Sequence, residues 1–295
     1  MKPAGVHGIL VIDKPAGITS RDVVNRVAKW LPPGTRLGHA GTLDPLATGV
    51  LVVCAGNATR LIEYIQDMDK IYQAELLLGA RSDTDDADGQ VEAVPVSQPP
   101  ELAAVTACLN GFVGEIEQAP PRYSAARVSG RRAYDLARAG REFSLKPRGV
   151  VIHDIQLLTY DYPNLALEIR CSKGTYIRSL ARDVGERLGC GALVRTLRRT
   201  AIGQLRLAEA LSLDAPGARE RCRLLPLAAA VGQLPRIILD GDLLKRLRQG
   251  QKLPASQVEL APDEQGELAV TDRQGELVAI AAVQNGRLCP TKVLV

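Results

Sequence analysis

The chain has 295 residues, of which 46% are hydrophobic and 24% charged, and its formal net charge is only +4. These proportions fit a folded chain with one large core, or a large domain plus a small one, and exclude a disordered or low-complexity protein. No apolar run approaches the ~18 residues of a membrane span, and the first apolar stretch, residues 9 to 12, is too short for a signal peptide. A cytoplasmic protein without membrane contact is expected.

In chain order, GILVID (8 to 13) reads as a buried strand. Thr19 or Ser20 then caps an amphipathic helix through Val23, Val24, Val27 and Trp30, stopped by Pro32-Pro33-Gly34. The loop LGHAGTLDPLATG follows, and VLVVCA and IYQAELLLG read as two further strands. GARSDTDDADGQVEA has the look of a calcium loop. Setting Gly89 at the sixth position puts Thr84 first and Pro95 last, where an aspartate and a glutamate are required, so it is read as an acidic turn or a loop answering a basic zone. QPPELAAVTACLNGFVG predicts a helix with Leu102, Val105, Leu109 and Phe112 on one face, and RRAYDLARAG a second that ends on Gly140. VVIHDIQLLTYD and NLALEIRCSKG alternate as a long hairpin. YIRSLARDVGERLG is a helix with Ile177, Leu180, Val184 and Leu188 inward and Gly189 as its stop. From about residue 234 a short helix, GDLLKRLRQG, precedes the strands ELAVTD, ELVAIAAVQ and TKVLV, a small mostly β module.

Charge is distributed unevenly. Residues 120 to 149 carry eight Lys/Arg against Asp135 and Glu142, and residues 165 to 206 carry nine against Glu168, Asp183 and Glu186, a local balance of +6 in each. Both zones are arginine-rich, which favours phosphate contacts through the guanidinium fork, so a nucleic-acid partner leads. All ten aromatic residues lie at or before Tyr176, which confines any base stacking to the larger part. The six cysteines, Cys54, Cys108, Cys171, Cys190, Cys222 and Cys289, contain no CxxC pair and read as reduced, mostly buried thiols. His7, His39 and His153 have no metal-ligand spacing, so no zinc site is expected.

In the opening loop, Asp44 precedes a proline, which pushes its backbone towards an extended conformation. Gly38, Gly41 and Gly49 let the chain turn tightly or let another backbone approach. Alone, the Asp-Pro pair is an ordinary turn. GHAGTLDPLATGVL, however, resembles the catalytic motif of the TruB family of pseudouridine synthases, which isomerise uridine 55 in the T loop of tRNA. HGILVIDKPAGITS resembles that family's first motif, DKIYQAELLLGARSDTDDADG its tyrosine motif, and CSKGTYIRSLARDVGERLGCGALVRTLRRT its later catalytic and RNA-facing motif. The matches run in family order from about residue 7 to residue 200.

The resemblance implies an α+β fold: a catalytic domain over residues 1-233, with a mixed, largely antiparallel sheet flanked by helices and a basic RNA-gripping insertion at about 120-149. A small PUA-like β-barrel would follow at 234-295. It implies Asp44 as the nucleophile, Arg178 as its ion-pair partner, Tyr176 as an active-site wall, and Tyr72 as the tyrosine that stacks on the base and assists proton removal. Leu197, Lys14 and Pro15 would line or shape the pocket, and His39 would fill the space left by a flipped nucleotide. Arg131 and Arg132 of the insertion would grip RNA. Where the family commonly has methionine, Arg122 stands before Tyr123. The implied enzyme is a monomer acting on the tRNA T stem-loop with no cofactor and no obligatory protein partner. An RNA chaperone that binds and refolds tRNA is the alternative. An aspartate-dependent nucleoside hydrolase is disfavoured by the basic zones.

Overall fold

The structure, a computed structural model, describes residues 5–124, 126–128, 130–259 and 266–294. Strand β1 (Gly8–Lys14) is aliphatic on both sides, and both sides are covered: Leu10 and Ile12 enter one core, Ile9 and Val11 another. Helix α1 (Ser20–Ala28) begins at a reciprocal cap in which the Asp22 amide donates to the Thr19 hydroxyl at 3.1 Å and the Thr19 amide to the Asp22 carboxylate at 2.9 Å. It buries Val23, Val24 and Val27 but ends before Trp30.

Strands β2 (Leu37–Ala40) and β3 (Thr48–Ala55) pair around the Asp44 loop. The chain continues through α2 (Ile62–Asp67), β4 (Lys70–Leu78), α3 (Leu102–Asn110), β5 (Gly114–Gln118), α4 (Ala133–Arg138), β6 (Arg148–Asp161), β7 (Asn164–Cys171), α5 (Ile177–Arg187), β8 (Ala192–Ile202) and β9 (Leu211–Ser212). The resulting sheet has the order β9-β1-β3-β8-β4-β7-β6-β5, with β2 also on β3 and Leu205–Arg206 on β8. Neighbours along this path are antiparallel except β9 with β1 and β3 with β8, so the sheet is mixed and largely antiparallel.

Two local expectations change, and one central strand appears that the sequence pattern does not signal. The helix expected over RRAYDLARAG is confined to α4, because Arg131 and Arg132 pair instead with Val128 and Arg127 in a short ribbon. Leu102 is 55% exposed: it sits in the first turn of α3, outside the stripe formed by Val105, Cys108 and Leu109. Strand β8, a central strand, is invisible to alternation because Arg195, Arg198 and Arg199 interrupt its apolar positions.

The parallel crossing of β3 and β8 depends on Gly49, whose φ is +96°. A Cβ there would lie 2.2 Å from the Arg199 carbonyl oxygen. Beyond the large sheet come β10 (Arg236–Ile238), α6 (Gly241–Arg248), β11 (Leu253–Pro254), β12 (Glu267–Thr271), β13 (Leu277–Gln284) and β14 (Arg287–Val293). They form a five-stranded sheet, β10-β12-β13-β14-β11, whose path among the described residues amounts to half a barrel. This sheet is not separately cored on all sides, since Ala269, Leu277, Ile280 and Leu294 share the second core with Ile9, Val11, Val50 and Val52. The Asn57 side chain donates to the Leu294 carbonyl at 2.7 Å, the Tyr64 hydroxyl to Glu267 at 2.8 Å, and Lys292 pairs with Glu63. All six cysteines are free thiols, five of them buried and Cys222 half-buried.

Candidate active site

The segment between β2 and β3 is held from several sides. The Ala47 amide closes a turn onto the Asp44 carbonyl at 3.1 Å, and the Gly17 amide donates to the Pro45 carbonyl at 2.9 Å. Ser20 accepts the Leu43 amide at 2.9 Å and donates to the Leu43 carbonyl at 3.0 Å. Lys14, fully buried, donates to the carbonyls of Pro15, Pro45 and Ala47 at 2.8, 3.2 and 2.7 Å. Burial pulls its pKa down to about 8, against the upward pull of Asp44. Lys14 therefore clamps the Asp44 loop from beneath, away from the cavity wall.

Arg178 is not the surface arginine that its position in the first turn of α5 would suggest. Its side chain is 6% exposed and lies 2.9 Å from Asp44 Oδ2 and 3.2 Å from Asp86 Oδ2. It also donates to the carbonyls of Thr84 and Tyr123 at 2.8 and 2.9 Å. The acidic segment thus answers the second basic zone: Asp86 pairs with Arg178, and Asp85 with Arg182 at 3.1 Å. Asp69 takes Arg170, Asp67 takes Lys173 and Asp13 takes Arg198. Much of the +6 balance of residues 165 to 206 is consumed inside the protein. No cluster of metal-ligating side chains occurs among the described residues.

Asp44, Tyr72, Tyr176, Arg178 and Leu197 line one cavity of about 530 Å³. Tyr72 belongs at once to the core and to this wall, being 8% exposed and facing Arg199 across the β4–β8 pairing. Tyr176 caps α5, and its amide donates to Gln118 Oε1 at 2.7 Å. The Asp44 side chain is 39% exposed, reaching solvent through the cavity, yet the surrounding protein strips enough water to raise its pKa. Arg178 opposes that rise.

His39 and Pro15 are not on the cavity wall. His39 stands on β2 opposite Val53, its Nδ1 is buried without a hydrogen-bond partner, and burial, then Arg199 and Arg21, push its pKa down. Arg131 is exposed on the ribbon that precedes α4 and is also away from the cavity, while the side chain of Arg132 lies outside the described residues. Arg199, which sequence reasoning missed, is 1% exposed and lines the cavity with Lys70. Nothing in an arginine-rich run signals a guanidinium buried among carbonyls.

The chain belongs to the TruB family of pseudouridylate synthases: its N-terminal domain model matches residues 29–177, the tRNA pseudouridylate synthase B C-terminal domain residues 178–215, and the pseudouridine synthase II TruB C-terminal region residues 235–294. It is 41% identical to tRNA pseudouridine synthase B of Burkholderia mallei, over 100% of this chain and 99% of that one. To the protein of the same name in Cupriavidus metallidurans it is 42% identical, over 98% and 94%. In fold it is similar to a chain of an H/ACA RNP bound to a substrate RNA containing 2′-deoxyuridine (TM-score 0.74, 22% identity, 98% of this chain and 85% of that chain). A Cbf5-Nop10-Gar1 complex contains another similar chain (TM-score 0.74, 24% identity, 98% and 85%).

Proposed function

We propose that this protein converts uridine 55 in the T loop of tRNA to pseudouridine, with Asp44 as the nucleophile. The observation that carries the reading is the Asp44 carboxylate, 2.9 Å from buried Arg178, on the wall of a cavity shared with Tyr72 and Tyr176. Full-length similarity to proteins named tRNA pseudouridine synthase B supports tRNA as the substrate.

Attack by the ionised carboxylate at ribose C1′ releases the C1′–N1 electron pair onto the base. Attack at ring C6 instead pushes the C5–C6 π pair towards O4. After cleavage the base turns, C5 bonds to C1′, the carboxylate leaves, the C5 proton departs and N1 takes one up. Atoms and electrons balance without oxidant or reductant. In this reading Arg178 keeps Asp44 ionised while the bound base dries the site. Tyr72 stacks on the base and assists removal of the C5 proton, Tyr176 and Leu197 bound the pocket, and Lys14 and Pro15 shape the loop.

The stacked uridine must be flipped out at a cost of a few kcal/mol, and His39 fills the gap in the RNA. Arg131 and Arg132 of the 120-149 insertion grip phosphates. Residues 1-233 act as the catalytic domain and 234-295 as a PUA-like RNA-binding module, in a monomeric cytoplasmic enzyme that needs no protein partner. Pseudouridine is to be mapped in one tRNA transcript after incubation with the purified protein. A single modified position, uridine 55, is expected; modification elsewhere, or none, refutes the reading.

A further inference from the structure

Two buried cations line the cavity without a carboxylate partner among the described residues. Arg199 donates through Nε to the Val50 carbonyl at 2.8 Å and through Nη2 to the Gly41 carbonyl at 2.9 Å, and Nη1 lies 3.4 Å from the Tyr72 hydroxyl. Lys70, 6% exposed at the start of β4, donates to the carbonyls of Gln66 and Met68. Asp67 and Asp69 precede Lys70 in sequence but are engaged elsewhere: Asp67 with Lys173 at 2.8 Å, Asp69 with Arg170 and His153, each at 3.0 Å. Arg178, by contrast, is already paired with Asp44 and Asp86.

Burying a charge among neutral acceptors is costly, and placing two like charges on one wall adds to the cost. Burial and then Arg199 pull the Lys70 pKa down to about 8. An arrangement of this kind is relieved by an anion in the cavity.

We propose that Arg199 and Lys70 are the electron sink of the reaction, their combined field stabilising the negative charge that forms on the pyrimidine. The inference rests on Asp44 being the nucleophile of a pseudouridine synthase, and it holds for either direction of attack. Attack at C1′ breaks the C1′–N1 bond and leaves its pair on the base, spread over N1, O2 and O4. Attack at C6 converts the C5–C6 π pair into an enolate with its charge on O4. In both cases the carboxylate loses its charge as it forms the new bond, while the base gains one. Negative charge thus passes from Asp44 beside Arg178 to the base beside Arg199 and Lys70. When C5 bonds to C1′ the pair returns and the carboxylate is released.

Besides its charge, Arg199 positions Tyr72. A guanidinium only donates, so the Tyr72 oxygen accepts and the phenol proton stays free to turn into the cavity. Lys70 contributes its charge directly, in a site where fixed positive groups are worth more than in water.

The test uses full-length Lys70→Met, Lys70→Arg, Arg199→Met and Arg199→Lys proteins, a tRNA transcript, single-turnover rates, transcript affinities and melting temperatures. Lys70→Met is expected to slow the single-turnover step by about 100-fold with transcript Kd changed by less than about twofold. Lys70→Arg should recover most of the rate, and Arg199→Lys should be faster than Arg199→Met although both disturb the bonds to Val50 and Gly41. The sink is refuted by an unchanged rate in Lys70→Met, by a rate loss matched by lost affinity, or by charge-retaining variants as slow as the methionine ones. If the Arg199 proteins do not fold, the Lys70 pair alone decides. Failure of the wild-type protein to make pseudouridine would overturn the reading of its function, whereas an active wild type with an equally active Lys70→Met overturns only the sink.

Discussion

At Asp44 the proposed mechanism sets two requirements in conflict: the carboxylate must be ionised to attack, yet its surroundings dry it. Burial is the larger influence and its pKa is raised, with Arg178 holding the rise in check. A protonated Asp44 cannot attack, so activity should fall as pH drops through that raised value. The acid limb of kcat/KM is therefore expected above the ordinary carboxylate value of 3.8, and a limb at or below it would contradict the assignment. The sign for stability is opposite: a carboxylate whose folded pKa is raised stabilises the fold below its unfolded pKa and loses that contribution as pH climbs through the folded value. Asp44→Asn should therefore abolish pseudouridine formation in a tritium-release assay and retain tRNA binding, without lowering Tm at neutral pH. Arg178→Met behaves differently because it strands Asp86, whose side chain is 6% exposed. A loss of about 3–5 kcal/mol in denaturant unfolding is expected, along with loss of activity.

At the scale of elements, the site depends on how β3 and β8 cross. Gly49→Ala would place a methyl 2.2 Å from the Arg199 carbonyl oxygen at a φ of +96°, so the crossing must open. A cost on the order of 3 kcal/mol and a weakened site are expected; urea unfolding and single-turnover activity check both, and a wild-type midpoint would show that the crossing is not tight. Strands β1, β3 and β4 were legible because their aliphatic runs or alternation survive intact. The acidic segment was legible as a partner of a basic zone because the EF-hand ligand spacing failed. Strand β8 was not, because three arginines occupy it and their destinations differ: Arg195 reaches Asn164, Arg198 pairs with Asp13, and Arg199 turns inward to backbone carbonyls. A pattern of residue types cannot distinguish these fates, since only tertiary contacts separate a buried guanidinium from a solvated one. Leu102 failed for the converse reason: helical spacing placed it on the buried stripe, but the chain enters α3 with that turn facing solvent.

Across the whole molecule, the two basic zones are unequal once folded. Residues 165 to 206 spend most of their charge on Asp44, Asp86, Asp85, Asp69, Asp67 and Asp13, whereas the 120-149 segment holds exposed Arg122, Arg131, Arg138 and Arg141. Replacing Arg131 and Arg132 with alanine should reduce the slope of log affinity for tRNA against log salt by about one to two. An unchanged slope would place the segment outside the interface. Helix α2 has a consequence for how distant parts of the molecule communicate. Glu63 and Tyr64 meet Lys292 and Glu267 of the C-terminal sheet, while Gln66 and Asp67 belong to the wall of the cavity. These two contact sets lie within five consecutive residues of one short helix, a span with little room to bend and absorb movement. Under the proposed function, an RNA that settles on the C-terminal sheet would therefore act on the cavity wall through this one short helix.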